Sequence, residues 1–120
     1  MTTIPLPWTV PPLTGNRDRA NVHAYAAKVR ATKDEAVTAI RAANVTPMTG
    51  ANITLHLRAA TKRRRDADNL GPTLKVVQDA LVLEGVLPDD SWVHVPKSAC
   101  HIHPPSDEGP AMWVTLEAVA

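Results

Sequence analysis

The chain has 120 residues, enough for one domain around one core, and it should bury roughly two-thirds of its unfolded surface. It has no Phe, so the core must be Val, Leu and Ala helped by Trp8, Trp92 and Trp113; its single cysteine, Cys100, excludes an intrachain disulfide and fits a reducing cytoplasm. A net charge of +1 conceals an asymmetry: residues 1–75 hold 12 Lys/Arg against 5 Asp/Glu, whereas residues 76–120 hold 1 against 7.

Ile4, Leu6, Trp8 and Val10 alternate with a strand period, and Pro5 and Pro7 between them predict a strand at a sheet edge. The opening MTTIPLPW lacks the basic start and apolar run of a signal peptide, and no run of about 18 apolar residues exists to span a membrane. Residues 11–19 read as an irregular loop. From Asn21 the spacing of Val22, Tyr25, Ala26, Val29, Ala36, Val37 and Ile40 predicts an amphipathic helix ending near Asn44, before Pro47.

After a turn at residues 47–50, Ile53, Leu55 and Leu57 alternate with Thr54, His56 and Arg58, the pattern of a half-buried strand. Leu70, Leu74, Val77 and Leu81 then predict a second helix, with Pro72 suited to its first turn and Gly85 to its C-terminal cap. A strand is expected at Trp92–Val95, resuming around Ala99–Ile102. After a polar loop over residues 104–110, Met112, Val114, Leu116 and Ala118 form the last strand, in a hairpin with the preceding one. The expected fold class is α/β (α+β): a small mixed sheet of about four strands with two helices packed on one face, in a single domain over residues 1–120.

The chemistry concentrates between the second strand and the end of the second helix. Lys62, Arg63, Arg64 and Arg65 form a basic run that suits phosphate contacts; a solvated charge run is the plainer explanation. Asp66 and Asp68 are two apart, so on extended backbone they would face one way. Asp90 could join them only if the chain returned along a strand beside the one leading to Asp66. Three carboxylates with no nearby Cys/His pair favour a hard cation such as Mg²⁺ or Mn²⁺, which would relieve their repulsion, activate water and bridge phosphate oxygens. Plainer roles are a helix cap for Asp68, a turn for Asp89-Asp90, and a surface pair of Asp66 with Arg64 or Arg65. Residues 66–77 begin like a calcium loop but place Val77 where a bidentate Glu is required. His101 and His103 beside Cys100 suggest zinc without completing a ligand set, so a structural or surface role is expected for them. There is no Gly-rich phosphate loop and no nucleophile elbow.

The run Arg63-Arg64-Arg65-Asp66-Ala67-Asp68-Asn69-Leu70, then Lys75, Asp79-Ala80-Leu81, Gly85-Val86 and Asp89-Asp90, resembles the RusA family of Holliday junction resolvases. Leu6-Pro7-Trp8, with Pro11, Pro12 and Asn16 following, is similar to that family's opening segment. The resemblance implies a homodimeric, Mg²⁺-dependent endonuclease (Mn²⁺ a possible substitute) that resolves four-way DNA junctions by paired nicks leaving 5′-phosphates. By position it implies Asp66, Asp68 and Asp90 as metal ligands. The family lysine falls on Lys75 if Gly71-Pro72-Thr73 is an insertion, since the position four after Asp68 is Pro72. It further implies DNA contacts from Lys62, Arg63, Arg64, Arg65 and Asn16. Family members are often phage-encoded, which fits a small protein in the host cytoplasm. Two other readings are a non-cleaving DNA-binding module of the same fold and a structural phage protein whose acidic patch contacts proteins.

Overall fold

The computed structural model describes residues 1–14 and 21–119. In chain order it holds β1 (Thr2–Leu6), α1 (Val22–Ala43), β2 (Ala51–Arg58), a 3₁₀ turn (Ala67–Leu70), α2 (Gly71–Leu83), β3 (Ser98–His103) and β4 (Ala111–Ala118). The four strands form one mixed sheet in the order β1-β4-β2-β3. β4 runs antiparallel to both neighbours, and β2 and β3 are parallel. The expected α+β fold of four strands and two helices is the fold observed. Asn16 lies outside the described residues.

Alternation builds the core. Ile53, Leu55 and Leu57 of β2, Met112, Val114 and Leu116 of β4, and Ile4 and Leu6 of β1 are buried on one face of the sheet. Ala36 and Ile40 of α1 and Leu74, Val77, Ala80 and Leu81 of α2 join them in a single cluster, so both helices cover that face. Asn52, Thr54, His56, Arg58, Trp113 and Thr115 point the other way and are only partly covered. No helix among the described residues is long and apolar enough to cross a membrane.

Both helices end where the sequence places the end. The Asn21 side chain accepts from the Ala24 N–H at 3.1 Å, and Asn44 (φ 51°) closes α1 in the left-handed region. Pro72 occupies the first turn of α2. Gly85 (φ 75°) lets the Gly85 and Val86 N–H groups donate to Val82 and Leu81 at 3.0 Å each, completing a Schellman cap. The buried Thr73 hydroxyl donates to the Leu13 carbonyl at 2.7 Å and accepts from the Leu13 N–H at 3.2 Å, pinning the N-terminal segment to α2.

Four expectations are corrected. The last two strands form no hairpin, because β2 lies between them. β4, with three fully apolar inward residues, takes a central place; β3, bearing Ser98, His101 and His103, takes the edge, where one side of its ladder faces water. Residues 92–95 are a turn, in which the His94 and Val95 N–H groups both donate to the Ser91 carbonyl at 3.0 and 2.8 Å. The turn chemistry of Pro88-Asp89-Asp90-Ser91 outweighs the strand propensity of Trp92 and Val93, and Trp92 is left 80% exposed. β1 stops at Leu6; Trp8 is still buried, but Val10 is exposed. Finally, Val22 is 68% exposed although it shares a helical face with Ile40. A 13-residue α2 about 20 Å long covers only part of a 22-residue helix about 33 Å long, and burial on α1 starts at Thr32.

Candidate functional site

The segment leaving β2 carries the basic run. Arg65 folds back on its own loop, its guanidinium donating to the Thr61 carbonyl at 2.6 Å, the Arg63 carbonyl at 3.2 Å and the Thr61 hydroxyl at 3.1 Å. Arg63 and Arg65 line two neighbouring clefts. One, of about 380 Å³, also meets Leu57, Asp66, Asn69 and Ile102; the other, of about 350 Å³, meets Lys62, His103 and Pro104. Lys62, Arg63 and Arg65 thus border open concave surface, while Arg64, exposed like Lys62 and Arg63, lines neither cleft.

Asp66 has extended backbone, but the 3₁₀ turn begins at Ala67, so Asp66 and Asp68 do not share one strand-like segment. Neither this turn nor α2 has a side-chain cap at its start, so Asp68 is not a helix cap. Asp68 lies over β3, where its charge and, more strongly, burial push the Cys100 thiol above its usual value. β3 does lie beside β2, the strand leading to Asp66, but in parallel register Ser98 pairs with Ile53 and His103 with Arg58, so the Asp90 end of the returning chain enters beside the start of β2 and not beside the end that leads to Asp66.

Lys75 is the fifth residue of α2 and reaches two carboxylates, Asp79 at 2.8 Å and Asp90 at 3.1 Å. Hydrogen bonds to Asp79 and Asp90 raise the lysine's pKa, and the Lys75 hydrogen bond holds the Asp90 carboxyl below its usual value. The pairing with Asp79 alone would be an ordinary i,i+4 contact; the contact with Asp90 brings the candidate lysine against a candidate metal ligand. Asp66 turns toward Arg64 at 3.9 Å. Asp66 and Asp90 thus each face a different cation of the chain. Among the described residues, Asp66, Asp68 and Asp90 do not form a group whose ligand atoms lie within 4.8 Å of one another.

A group that does meet this distance lies on the helix-free face: His56 of β2 with His101 and His103 of β3. His56 stands in register with His101 on one side and Trp113 on the other. Its Nδ1 is 2.8 Å from His103 Nε2, and its Nε2 is 2.9 Å from the Thr115 hydroxyl. The rings of His101 and His103 stack at 3.9 Å, and Trp113 lies parallel to His56 at 5.1 Å. Burial first, then the neighbouring histidines, lowers the pKa of His56; burial, His101 and Arg58 do the same for His103. Cys100, grouped with these histidines in the sequence, points to the opposite face by strand alternation. Sequence reasoning missed His56 because its nearness to His101 and His103 exists only in the parallel β2–β3 register.

A scan against protein-family models finds no match to this chain, and a search of curated proteins finds no similar sequence.

Proposed function

We propose that this protein is a Mg²⁺-dependent, structure-selective endodeoxyribonuclease, acting as a homodimer on four-way and other branched DNA, as the resemblance to the RusA family implies. The observation that supports this reading best is the 3.1 Å contact of Lys75 with Asp90. It joins two residues that the resemblance selects independently, and it does so across the Gly71-Pro72-Thr73 insertion.

Carboxylate oxygens are the donors a hard cation takes, and Asp66, Asp68 and Asp90 would supply them. Once bound, the ion would neutralise phosphate charge and activate water. Lys75, kept protonated by its two carboxylate partners, would stabilise negative charge on the phosphate. Lys62, Arg63 and Arg64 would hold backbone phosphates, while Arg65 shapes the loop that presents them. Such contacts carry no base information, so selection would be by junction shape.

A second reading, a DNA-binding module that does not cut, draws on the separation of the three carboxylates. Incubation with a labelled four-way junction in Mg²⁺ and in EDTA separates the two. The nuclease gives paired nicks in Mg²⁺ alone, abolished by Asp66→Asn, Asp68→Asn or Asp90→Asn with junction binding retained, whereas Asp89→Asn matters less. Binding without nicking in Mg²⁺ or Mn²⁺ leaves the module; neither binding nor nicking rejects both. Replacing Arg63, Arg64 and Arg65 together with Ala should flatten the salt dependence of log K by about 0.9 for each phosphate that is no longer neutralised.

A further inference from the structure

We propose that His56, His101 and His103 form a binding site for a borderline transition cation of the Zn²⁺, Co²⁺, Ni²⁺ or Cu²⁺ class, on the helix-free face of the sheet and separate from the aspartate region. The three imidazoles come from two adjacent strands, and their ligand atoms lie within 4.8 Å of one another. Metal–nitrogen bonds of about 2.0–2.1 Å in a tetrahedral site set ligand nitrogens about 3.3 Å apart. His56 Nδ1 and His103 Nε2, at 2.8 Å, need to open by only about 0.5 Å from that starting point. His101 stacks on His103 and needs only rotation about its side-chain bonds to present a nitrogen.

The surroundings match a ligand set more closely than an incidental stack. One hydrogen-bond pattern that satisfies His56 has its Nε2–H donating to the Thr115 hydroxyl, 2.9 Å away, which leaves the Nδ1 lone pair aimed at His103. Fixing the tautomer of a ligating imidazole through its other nitrogen is the usual part of a supporting hydrogen bond. Trp113, stacked on His56, walls that ring on its other side and restricts its rotation. A neighbouring cation, Arg58, is drawn off by Glu108 at 3.0 Å and by the Gly109 carbonyl at 2.6 Å, so its charge is partly countered.

The donor set selects the ion. Three neutral nitrogens and no carboxylate suit zinc, cobalt, nickel or copper and exclude tight binding of Mg²⁺ or Ca²⁺. Three ligands leave a fourth position for water or an anionic oxygen, and the exposed His101 places that position toward solvent. A bound ion would also tie β3, the edge strand, to β2.

The test is a titration of the full chain, stripped of metal by a chelator that is then removed, with Co²⁺. Visible Co²⁺ absorption and tryptophan emission report binding, the latter because Trp113 contacts His56. The expected result is one equivalent of Co²⁺, displaced by one equivalent of Zn²⁺ and indifferent to excess Mg²⁺, with a Zn²⁺-dependent rise in melting temperature. His101→Gln, at an exposed position that threatens no core, should weaken Co²⁺ binding at least tenfold and abolish the rise. Thr115→Val should weaken it about tenfold or more. His23→Gln should leave it unchanged, and titration in excess Mg²⁺ keeps the aspartate region from contributing, so this site and the nuclease reading succeed or fail separately. Absence of Co²⁺ binding at millimolar concentration, or binding that survives both His101→Gln and His103→Gln, overturns the proposal.

Discussion

Lys75 shows how far a single residue can be followed. Its pairing with Asp79 is legible as an i,i+4 contact; its pairing with Asp90 is not, because that depends on the path of the chain after Gly85. Exposed pairs contribute little to stability, at most about 1 kcal/mol. The lowered Asp90 pKa gives a contribution that is present at neutral pH and disappears as pH falls below the usual carboxylate value of 3.8 through the depressed one. If Lys75 serves phosphoryl chemistry, Lys75→Ala should slow junction cleavage at least tenfold, about 1.4 kcal/mol or more of transition-state stabilisation, with melting temperature and junction affinity nearly unchanged. Single-turnover cleavage beside a thermal melt decides this. Near-normal cleavage would make Lys75 a surface ion-pair residue and direct attention to Lys62 or Lys97. His56 marks the limit of residue-level reading, since its partners are 45 and 47 positions away and meet it only through strand register.

At the scale of elements, periodicity succeeds where one face of an element is buried along most of its length. β2, β4 and α2 lie where their apolar spacing places them, and Asn21, Asn44 and Gly85 mark helix ends by cap chemistry. It fails at Trp92–Val95, where apolar residues sit on a turn, and at strand order, which alternation does not encode. The turn at residues 47–50 that enters β2 is legible in sequence, but the close approach of its last residue to the His94 loop is not. A Cβ on Gly50 would lie 2.7 Å from the His94 carbonyl oxygen, a backbone atom that already accepts from the Ala51 N–H at 2.9 Å. Gly50→Ala should therefore destabilise the protein by about 1–3 kcal/mol, the usual cost of overpacking. Urea denaturation measures it; an unchanged midpoint would mean that the loop carrying His94 moves aside freely.

At the scale of the molecule, one apolar cluster joins both helices to the sheet, and that much follows from composition and alternation. The charge asymmetry is also legible in sequence, but its placement is not: Lys62, Arg63 and Arg65 border clefts at the exit of β2, whereas the acidic groups of the second part collect near Lys75 and on loops. The whole sheet depends on β4, which lies between β1 and β2 and pairs with both. Deleting residues 111–118 should therefore abolish cooperative unfolding rather than lower its midpoint, which calorimetry would show; a sharp transition in the shortened chain would mean that β2, β3 and the helices form a core alone.

The position of β4 also has a consequence for synthesis. β1 is made long before its partner strand, which lies more than 100 residues later, so Ile4 and Leu6 lack their place in the sheet until Ala111–Ala118 has been added. Domains whose early strands pair with one another can begin to fold while still on the ribosome. Here β1 has no such option, and β2 has only β3 to pair with. A central strand arrives last, so a nascent chain halted before Ala111 would leave β1 and one edge of β2 open to chaperones and proteases.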